Sequence, residues 1–311
     1  MARAKNADKQ RRINTASAKA ASAERRRVLL RAAALTLVIG VGLLWIISDR
    51  GRSSAADAGP VHVHGLGINP ADGALFIATH TGLYRSGEGK SKSVRVGDNK
   101  QDTMGFSVIG PNRFLGSGHP DFRTDLPPLL GLIESSDSGR SWEPISLLGQ
   151  ADFHVLRSAG SRVYGYDASN DRLLASEDAG RTWETVERPV PLLDLVIDPR
   201  ESQHVVAAGG SDLAVGLYES RDGGRSWDRI AGNIGGLLAW PAAEQLILVD
   251  GGGNVFVSAD GGRRLRHTGI VGGQPAALLA TSPDEFFVAL HDGTIKQSTD
   301  EGVTWSVRSA P

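Results

Sequence analysis

An octapeptide with the pattern Ser-x-Asp-x-Gly-x-Ser/Thr-Trp recurs along the chain and constrains its fold more than any other feature. The complete copies are SSDSGRSW at 135–142, SEDAGRTW at 176–183, SRDGGRSW at 220–227 and STDEGVTW at 298–305. A fifth copy, SADGGRRL at 258–265, has leucine in place of the tryptophan. The aspartates are separated by 41, 44, 38 and 40 residues, and they are Asp137, Asp178, Asp222, Asp260 and Asp300. Such regular spacing predicts an array of structural units of about 40 residues.

The chemistry of the octapeptide indicates a tight turn between two β-strands. Short Ser and Asp side chains can bond backbone N–H groups within a turn, and Gly allows a positive φ. The tryptophan would open the next strand and bury its ring against neighbouring residues. These tryptophans are Trp142, Trp183, Trp227 and Trp305. We therefore predict that the repeated aspartates and tryptophans have a structural role.

Two β-rich segments precede each octapeptide, for example RVYGYD and then RLLAS. Each unit can therefore be written as four short antiparallel strands, A to D, with the octapeptide in the C–D hairpin. Units of this kind form the blades of a β-propeller. Residues 61–308 accommodate six units of about 41 residues. The fold class is therefore predicted to be all-β, a six-bladed β-propeller whose last blade pairs directly with the first. The A strands should begin near Val63, Met104, Phe153, Leu193, Leu237 and Ala277.

These octapeptides resemble Asp-boxes, also called BNR repeats, and residues 61–308 are similar to Asp-box β-propellers of the sialidase and sortilin-like superfamily. The segments His62–Leu66, Gly118–Pro120 and Asp152–His154 are similar to those of exported bacterial propellers labelled glycosylhydrolase by homology. The resemblance implies that the turns lie on the outer, lower side, away from the binding face. Sialidases use a tyrosine nucleophile, an aspartate acid and three arginines. This sequence lacks their Arg-Ile-Pro motif and offers only Arg123 at the predicted rim, which makes sialidase activity doubtful.

The amino-terminal segment predicts a single membrane span that precedes the propeller. Residues 32–48 carry no charge, and residues 28–48 are long enough to cross a bilayer core of about 30 Å as a helix. A basic stretch precedes them, so the positive-inside rule places residues 1–27 in the cytoplasm as a disordered tail. Residues 49–60 would be a linker and residues 61–311 an extracytoplasmic propeller. The alternative is a cleaved signal peptide, because Ala56-Asp57-Ala58 resembles a cleavage site.

The formal charge of −1 is an average over two very different regions. Residues 1–31 have a net charge of +8, and the other 280 residues have a net charge of −9. Next to an apolar span, the basic stretch is expected to set membrane topology rather than to bind nucleic acid. The chain has no cysteine, so any metal ion would have to be held by His and Asp side chains.

Aligned blades place several polar residues on one face of the propeller, where A strands begin and B–C loops lie. His80, His119 and Asp167 stand at the ends of B strands, while His62, His64, Asp102, Asp152 and His154 stand at the starts of A strands. We predict ligand binding by the five histidines, with His80, His119 and His154 as ligands for a divalent transition metal. Asp102, Asp152 and Asp167 are the candidates for a catalytic carboxylate pair.

Three functions remain open from the sequence. The first is binding of a small ligand, glycan or metal ion at this His/Asp face outside the membrane. The second is glycoside hydrolysis by the same residues, and the third is a scaffold for other envelope proteins. The segment 120–128 would be a cover or specificity loop over the face, or a stiff Pro-rich surface loop. The chain has no P-loop, no Gly-x-Ser-x-Gly and no dinucleotide fingerprint, so those chemistries lack support.

Overall fold

The computed structural model describes residues 59–211 and 214–311. These residues form six antiparallel sheets of four strands each, and every sheet contains four strands that are consecutive in the chain. The prediction of an all-β, six-bladed propeller is therefore confirmed. The predicted tail, the membrane segment 28–48 and all but the end of the linker lie outside the described residues. Within the described part of the chain, no helix is long and apolar enough to span a membrane.

The first three blades contain strands β1 to β12. Their bounds are β1 (Val63–Ile68), β2 (Leu75–Thr79), β3 (Gly82–Ser86), β4 (Val94–Arg95), β5 (Asp102–Gly110), β6 (Arg113–His119), β7 (Leu132–Ser135), β8 (Glu143–Ser146), β9 (Phe153–Ala159), β10 (Arg162–Asp167), β11 (Arg172–Ser176) and β12 (Glu184–Val186). The order within each sheet follows the chain, so each blade is a simple meander from the inner strand A to the outer strand D.

The last three blades contain strands β13 to β24. Their bounds are β13 (Leu192–Ile197), β14 (Val205–Ser211), β15 (Ala214–Ser220), β16 (Asp228–Gly232), β17 (Gly236–Ala242), β18 (Gln245–Asp250), β19 (Asn254–Ser258), β20 (Arg266–Ile270), β21 (Pro275–Ala280), β22 (Phe286–Leu290), β23 (Ile295–Ser298) and β24 (Ser306–Ser309). The six A strands begin within two residues of the predicted positions.

The core consists of apolar side chains packed between neighbouring blades. Blade 1 packs on blade 6 through one cluster that joins Val63 and Leu66 to Ala277 and Phe287. The alternating apolar residues of each strand supply these contacts, because successive side chains point to opposite faces of a sheet. The first and last blades therefore meet through packed side chains, and each keeps its own four strands, as predicted for direct closure.

The repeated turns form hydrogen-bonded hairpins between strands C and D. In blade 4, the Ser220 hydroxyl donates to Oδ1 of Asp222 at 2.8 Å and accepts from the Gly224 N–H at 2.8 Å. Asp222 also accepts from the backbone N–H and the hydroxyl of Ser226. The indole N–H of Trp227 donates to the Glu187 carbonyl at 2.9 Å. Each turn is thus closed by its own side chains, and this tryptophan ties blade 4 to the end of blade 3.

Candidate functional site

The starts of the A strands and the B–C loops form one face, called here the site face, around the mouth of a central channel. In five blades, one residue near the start of strand A bulges out of register with strand B. A bulge re-aims a side chain, and here it directs that residue into the channel. Near its mouth, a cavity of about 160 Å³ is lined by the five bulged residues, His64, Met104, His154, Leu193 and Ala276, and by Leu237 of blade 5, which stays in register. The two polar members of this ring, His64 and His154, come from blades 1 and 3.

Blades 1 and 2 bring two imidazoles to one carboxylate. Nδ1 of His80 lies 2.8 Å from Oδ2 of Asp102, and Nε2 of His64 lies 3.8 Å from Oδ1 of the same carboxylate. The rings of His64 and His80 meet edge to face, with centroids 4.3 Å apart. His62 lies next to them, with its ring 5.4 Å from that of His80 and a backbone φ of 54°. Such a φ is costly for a residue other than glycine, so the surrounding structure must hold His62 in place.

The cluster continues from blade 2 to blade 3 through His119. Nδ1 of His119 lies 3.6 Å from Oδ2 of Asp102, and its Nε2 lies 3.7 Å from Oδ2 of Asp152. The Asp152 carboxylate in turn is hydrogen-bonded to Nε2 of His154 at 2.8 Å. Four imidazoles and two carboxylates therefore form one continuous network across three blades. The Asp152 carboxylate is buried, whereas the His80 and His154 side chains are exposed.

Burial and close charges shift the pKa values within this network. Burial, reinforced by the neighbouring His80, lowers the pKa of His64 to about 4, so its imidazole is neutral at neutral pH. Burial acts to raise the pKa of Asp102, but the contacts with His119 and His80 outweigh it and hold that pKa well below its usual value. The Asp102 carboxylate raises the pKa of His119. Asp102 is thus a carboxylate that carries its negative charge against a neutral His64.

Three buried polar atoms of the network have no hydrogen-bond partner among the described residues. They are Nε2 of His64, Oδ1 of Asp102 and Oδ1 of Asp152. Native structures pair the great majority of such atoms, because an unpaired buried polar group costs about 1–3 kcal/mol. Their position in one network suggests that a ligand completes their bonding.

Asp167, predicted on this face, is fully buried and already paired. Its carboxylate accepts hydrogen bonds from Nε of Arg172 and from the Asn170 side chain, each at 2.8 Å. The Asp152 backbone N–H also donates to it, at 3.1 Å. Asp167 therefore helps to hold the strand that carries Asp152 and His154, rather than presenting its carboxylate at the mouth.

The structure assembles one group of three donor residues with the spacing of a metal site in the described part of the chain. One ligand atom each from His64, His80 and Asp102 lie within 4.8 Å of one another. The sequence had instead suggested His80, His119 and His154. His119 and His154 lie in the same network, but each faces a carboxylate and neither joins this group.

The segment 120–128 begins directly after His119 and lies in the connection between β6 and β7 of blade 2. Its Asp121 accepts from the Lys100 backbone N–H at 2.9 Å and from Nε of Arg123 at 2.9 Å. On its other side, Pro127 lies against Gly149. The loop is thus held between the connections that precede and follow blade 2, and it carries Phe122, which is 87% exposed, on the site face.

Sequence reasoning missed the ion pair that lies deeper in the channel. Nη2 of Arg157 lies 2.6 Å from Oδ1 of Asp194, and the Leu195 and Leu238 N–H groups also donate to this carboxylate. Burial raises the pKa of Asp194 despite the nearby Arg157. The pair joins blades 3, 4 and 5, and a charged residue inside an otherwise apolar A strand was the signal that could have revealed it. Beyond the pair, the channel widens into a cavity of about 640 Å³.

Comparison with known proteins supports the fold and does not assign a family. No protein-family model matches the chain, and no curated protein matches it. Among solved structures, a GH74 enzyme from Niastella koreensis is 15% identical, with a TM-score of 0.57 over 81% of this chain and 46% of that chain. The GH74 xyloglucanase from Xanthomonas campestris is 20% identical, with a TM-score of 0.51 over 82% and 46%. The chain thus spans less than half the length of these enzymes.

Two other neighbours occur in complexes with a peptide or a protein. YCF48 bound to D1 peptide is 14% identical, with a TM-score of 0.51 over 82% of this chain and 87% of that chain. The chain from a nidogen–laminin complex is 12% identical, with a TM-score of 0.59 over 76% and 93%. At these identities the likeness concerns the fold alone. The fold and the site face together define a six-bladed β-propeller with a His/Asp-lined channel mouth, and membership of the Asp-box superfamily stays a prediction.

Proposed function

We propose that the protein is an Asp-box propeller, anchored by residues 28–48 outside the membrane, that binds a small polar ligand or a metal ion at its site face. One observation carries the proposal: imidazoles from three blades converge on two carboxylates at the mouth of the channel. Polar groups that converge from separate elements on a concave mouth are the usual arrangement of a ligand site.

The carboxylates prepare the imidazoles for binding. Asp102 contacts Nδ1 of His80, which leaves Nε2 of that ring for a ligand. Asp152 contacts Nε2 of His154, which leaves Nδ1 of that ring for a ligand. A carboxylate behind an imidazole fixes its orientation and increases its basicity. The other nitrogen of each ring is therefore held in position before a ligand arrives, which reduces the entropy cost of binding.

Glycoside hydrolysis is the competing proposal, and the GH74 neighbours are its main support. A glycosidase needs two carboxyl groups, one of which keeps its proton as the general acid. On the site face, the contacts with His119 and His80 lower the pKa of Asp102. Asp167 is buried against Arg172. The geometry therefore favours binding of a polar ligand, glycans included, over cleavage.

A scaffold for envelope proteins is the third proposal. The complexes of YCF48 with D1 peptide and of nidogen with laminin show that similar propellers occur with peptide or protein partners. A protein partner would use a surface wider than the channel mouth, and the exposed Phe122 lies on the same face. Binding to a scaffold surface would not depend on the histidines, so substitutions at the histidines separate the two proposals.

The test measures thermal unfolding of the untagged full-length chain with and without each member of a panel of metal ions, saccharides and small carboxylates. A ligand present at 100 times its Kd should stabilise the folded chain by about 2.7 kcal/mol. We expect this stabilisation to be lost in the triple variant His80→Ala/His119→Ala/His154→Ala and kept in His267→Ala, whose exposed imidazole lies in blade 5. Equal responses of the two variants would contradict the proposal. Release of reducing sugar that depends on Asp102 or Asp152 would favour hydrolysis instead.

A further inference from the structure

We propose that His64, His80 and Asp102 form a three-ligand centre for a first-row transition metal ion such as Zn²⁺, with one coordination position left for a ligand from solvent. The centre deepens the proposed function, because it names the ligand that part of the same site face holds. Two imidazoles and a carboxylate are a ligand set used by Zn²⁺ sites that keep an open position. The absence of cysteine leaves nitrogen and oxygen as the available strong ligands.

The spacing of the donor atoms fits such an ion. In a tetrahedral Zn²⁺ site, bonds of about 2.0–2.2 Å place ligand atoms about 3.3 Å apart. Here Nε2 of His64 and Oδ1 of Asp102 lie 3.8 Å apart, and one donor atom from each of the three residues lies within 4.8 Å of the others. Side-chain adjustments of about 1 Å, within rotamer freedom, would bring the three to bonding distance.

The unpaired buried atoms point to the same position. Nε2 of His64 and Oδ1 of Asp102 face each other at 3.8 Å, too far apart for a hydrogen bond, and neither has another partner among the described residues. An ion between them would bind the lone pair of the imidazole and the charge of the carboxylate. A single ion would then bond to both atoms, which are too far apart to bond to each other.

The backbone and the neighbouring side chains support the three residues. The bulge in β1 takes His64 out of register and turns it towards the channel mouth. Asp102 lies at the start of β5, directly opposite His119 on β6. Nδ1 of His119 approaches Oδ2 of Asp102 to 3.6 Å, the position of an outer partner that orients a ligating carboxylate. Because the ligands come from two blades, the bound ion would also cross-link blade 1 to blade 2.

The experiment measures Zn²⁺ binding to the untagged full-length chain by equilibrium dialysis with elemental analysis. We expect one Zn²⁺ per chain. Removal of an outer partner of a metal ligand weakens binding about 10–100-fold, so loss of a ligand should weaken it by about 100-fold or more. The ligand variants are His64→Gln, His80→Gln and Asp102→Asn. The matched control is His154→Gln, an imidazole of the same face outside the centre, and His267→Gln is the remote control.

Two further measurements keep the result interpretable. Circular dichroism and unfolding of each metal-free variant show whether it is folded. His80→Gln should disturb the fold least, because 44% of the His80 side chain is exposed, the largest fraction among the three ligands. Co²⁺ in place of Zn²⁺ should give the visible bands of a four-coordinate site, and these should be lost in the ligand variants. Absence of bound Zn²⁺, or equal losses in His64→Gln and His154→Gln, would overturn the inference. Should Zn²⁺ fail to bind while another ligand still acts through His119 and His154, the inference fails and the proposed function stands.

Discussion

Nδ1 of His80 lies 2.8 Å from Oδ2 of Asp102, which links the end of β2 in blade 1 to the start of β5 in blade 2. The two residues belong to different sheets, so neither local sequence nor strand pairing brings them together. Side-by-side packing of the two blades around the channel does so. The same carboxylate also approaches His64 and His119, which makes Asp102 the residue on which blades 1 and 2 converge.

We predict measurable coupling between His80 and Asp102 in the metal-free protein. The variants His80→Ala and Asp102→Asn and their combination form a double-mutant cycle, in which urea unfolding gives each free energy. The pair is partly exposed, so the coupling should be about 0.5–1 kcal/mol. Glu134 contacts Arg113 in the middle of blade 2, so a cycle of His80→Ala with Glu134→Gln should show coupling below about 0.3 kcal/mol. Equal coupling in both cycles would contradict the prediction.

Gly118→Ala should damage both stability and the site, whereas Gly110→Ala in the same blade should not. Gly118 has a φ of +133°, and an added Cβ would lie 2.1 Å from the Asp102 carbonyl oxygen. Strain and crowding together should cost about 2–4 kcal/mol in the free energy of unfolding, and they should displace Asp102. Gly110 has open space around its Cβ position, so its change should stay within about 0.5 kcal/mol. Urea unfolding measures both, and similar losses for the two variants would refute the argument.

Arg157→Met should destabilise the propeller strongly, because it leaves the buried Asp194 carboxylate without its cation. Removal of one partner of a buried ion pair costs about 3–5 kcal/mol. The side chain of Asp194 is only 3% exposed, and it contacts blades 3 and 5 from blade 4. The matched control is Arg200→Met, since this arginine is mostly exposed beside Asp198 and should contribute less than about 1 kcal/mol. Addition of Asp194→Asn to Arg157→Met should recover part of the loss in unfolding free energy. If nothing is recovered, the unpaired charge of Asp194 is not the cause of the loss.

Ser220→Ala tests the stabilising role of the repeated turns. The buried Ser220 hydroxyl bonds both Asp222 and the Gly224 N–H, so its removal leaves a buried donor unsatisfied. The expected loss is about 1–3 kcal/mol of unfolding free energy. Ser161→Ala, at an exposed position in blade 3, should change it by less than about 0.5 kcal/mol. If the two serines prove equivalent by urea unfolding, the turn is not held together by this hydroxyl.

Acid should weaken the propeller through the aspartates of the turns. Hydrogen bonds from Thr182 and Ser176 lower the pKa of Asp178 to about 2, and those from Ser226 and Ser220 lower the pKa of Asp222 to about 2. A carboxyl group whose pKa is lower in the folded state stabilises the fold above its unfolded pKa, and this contribution is lost as the pH falls through the folded pKa. Stability should therefore decrease from about pH 4 to about pH 2.

The double variant Asp178→Asn/Asp222→Asn checks this pH dependence. Urea unfolding midpoints measured between these pH values should fall less steeply for the variant than for the unchanged chain, because two titrating groups have been removed. Parallel pH profiles would show that other carboxyl groups cause the acid sensitivity.

The fold was predictable because its signals are local and repeated. Each turn is closed by side chains within a few residues of one another, such as Ser220, Asp222 and Gly224, so the octapeptide specifies a hairpin wherever it occurs. Five copies at near-constant spacing then determine the blade length and the number of blades. Superposition of equivalent blades also placed His80 and His119 at the same end of the B strand, where the structure has them.

The details of the site were not predictable, because they depend on bulges and on burial. Alternation along a strand does not reveal that His64 bulges towards the channel, and it gives no reason to separate the buried Asp167 from the more exposed Asp102. The pairing of Arg157 with Asp194 likewise requires two blades at a fixed distance. For this reason the group of donors with metal-site spacing, His64, His80 and Asp102, shares only His80 with the predicted set His80, His119 and His154.

The sequence alone therefore determined the repeating unit, the number of blades and the face on which the histidines lie, because each follows from contacts within a few residues and from regular spacing. The tertiary structure decided which atoms meet. Asp102 contacts His80, His64 and His119 only when blades 1 and 2 pack side by side, and Asp152 joins them from blade 3. Such contacts span separate sheets, and their distances are determined by closure of the whole ring.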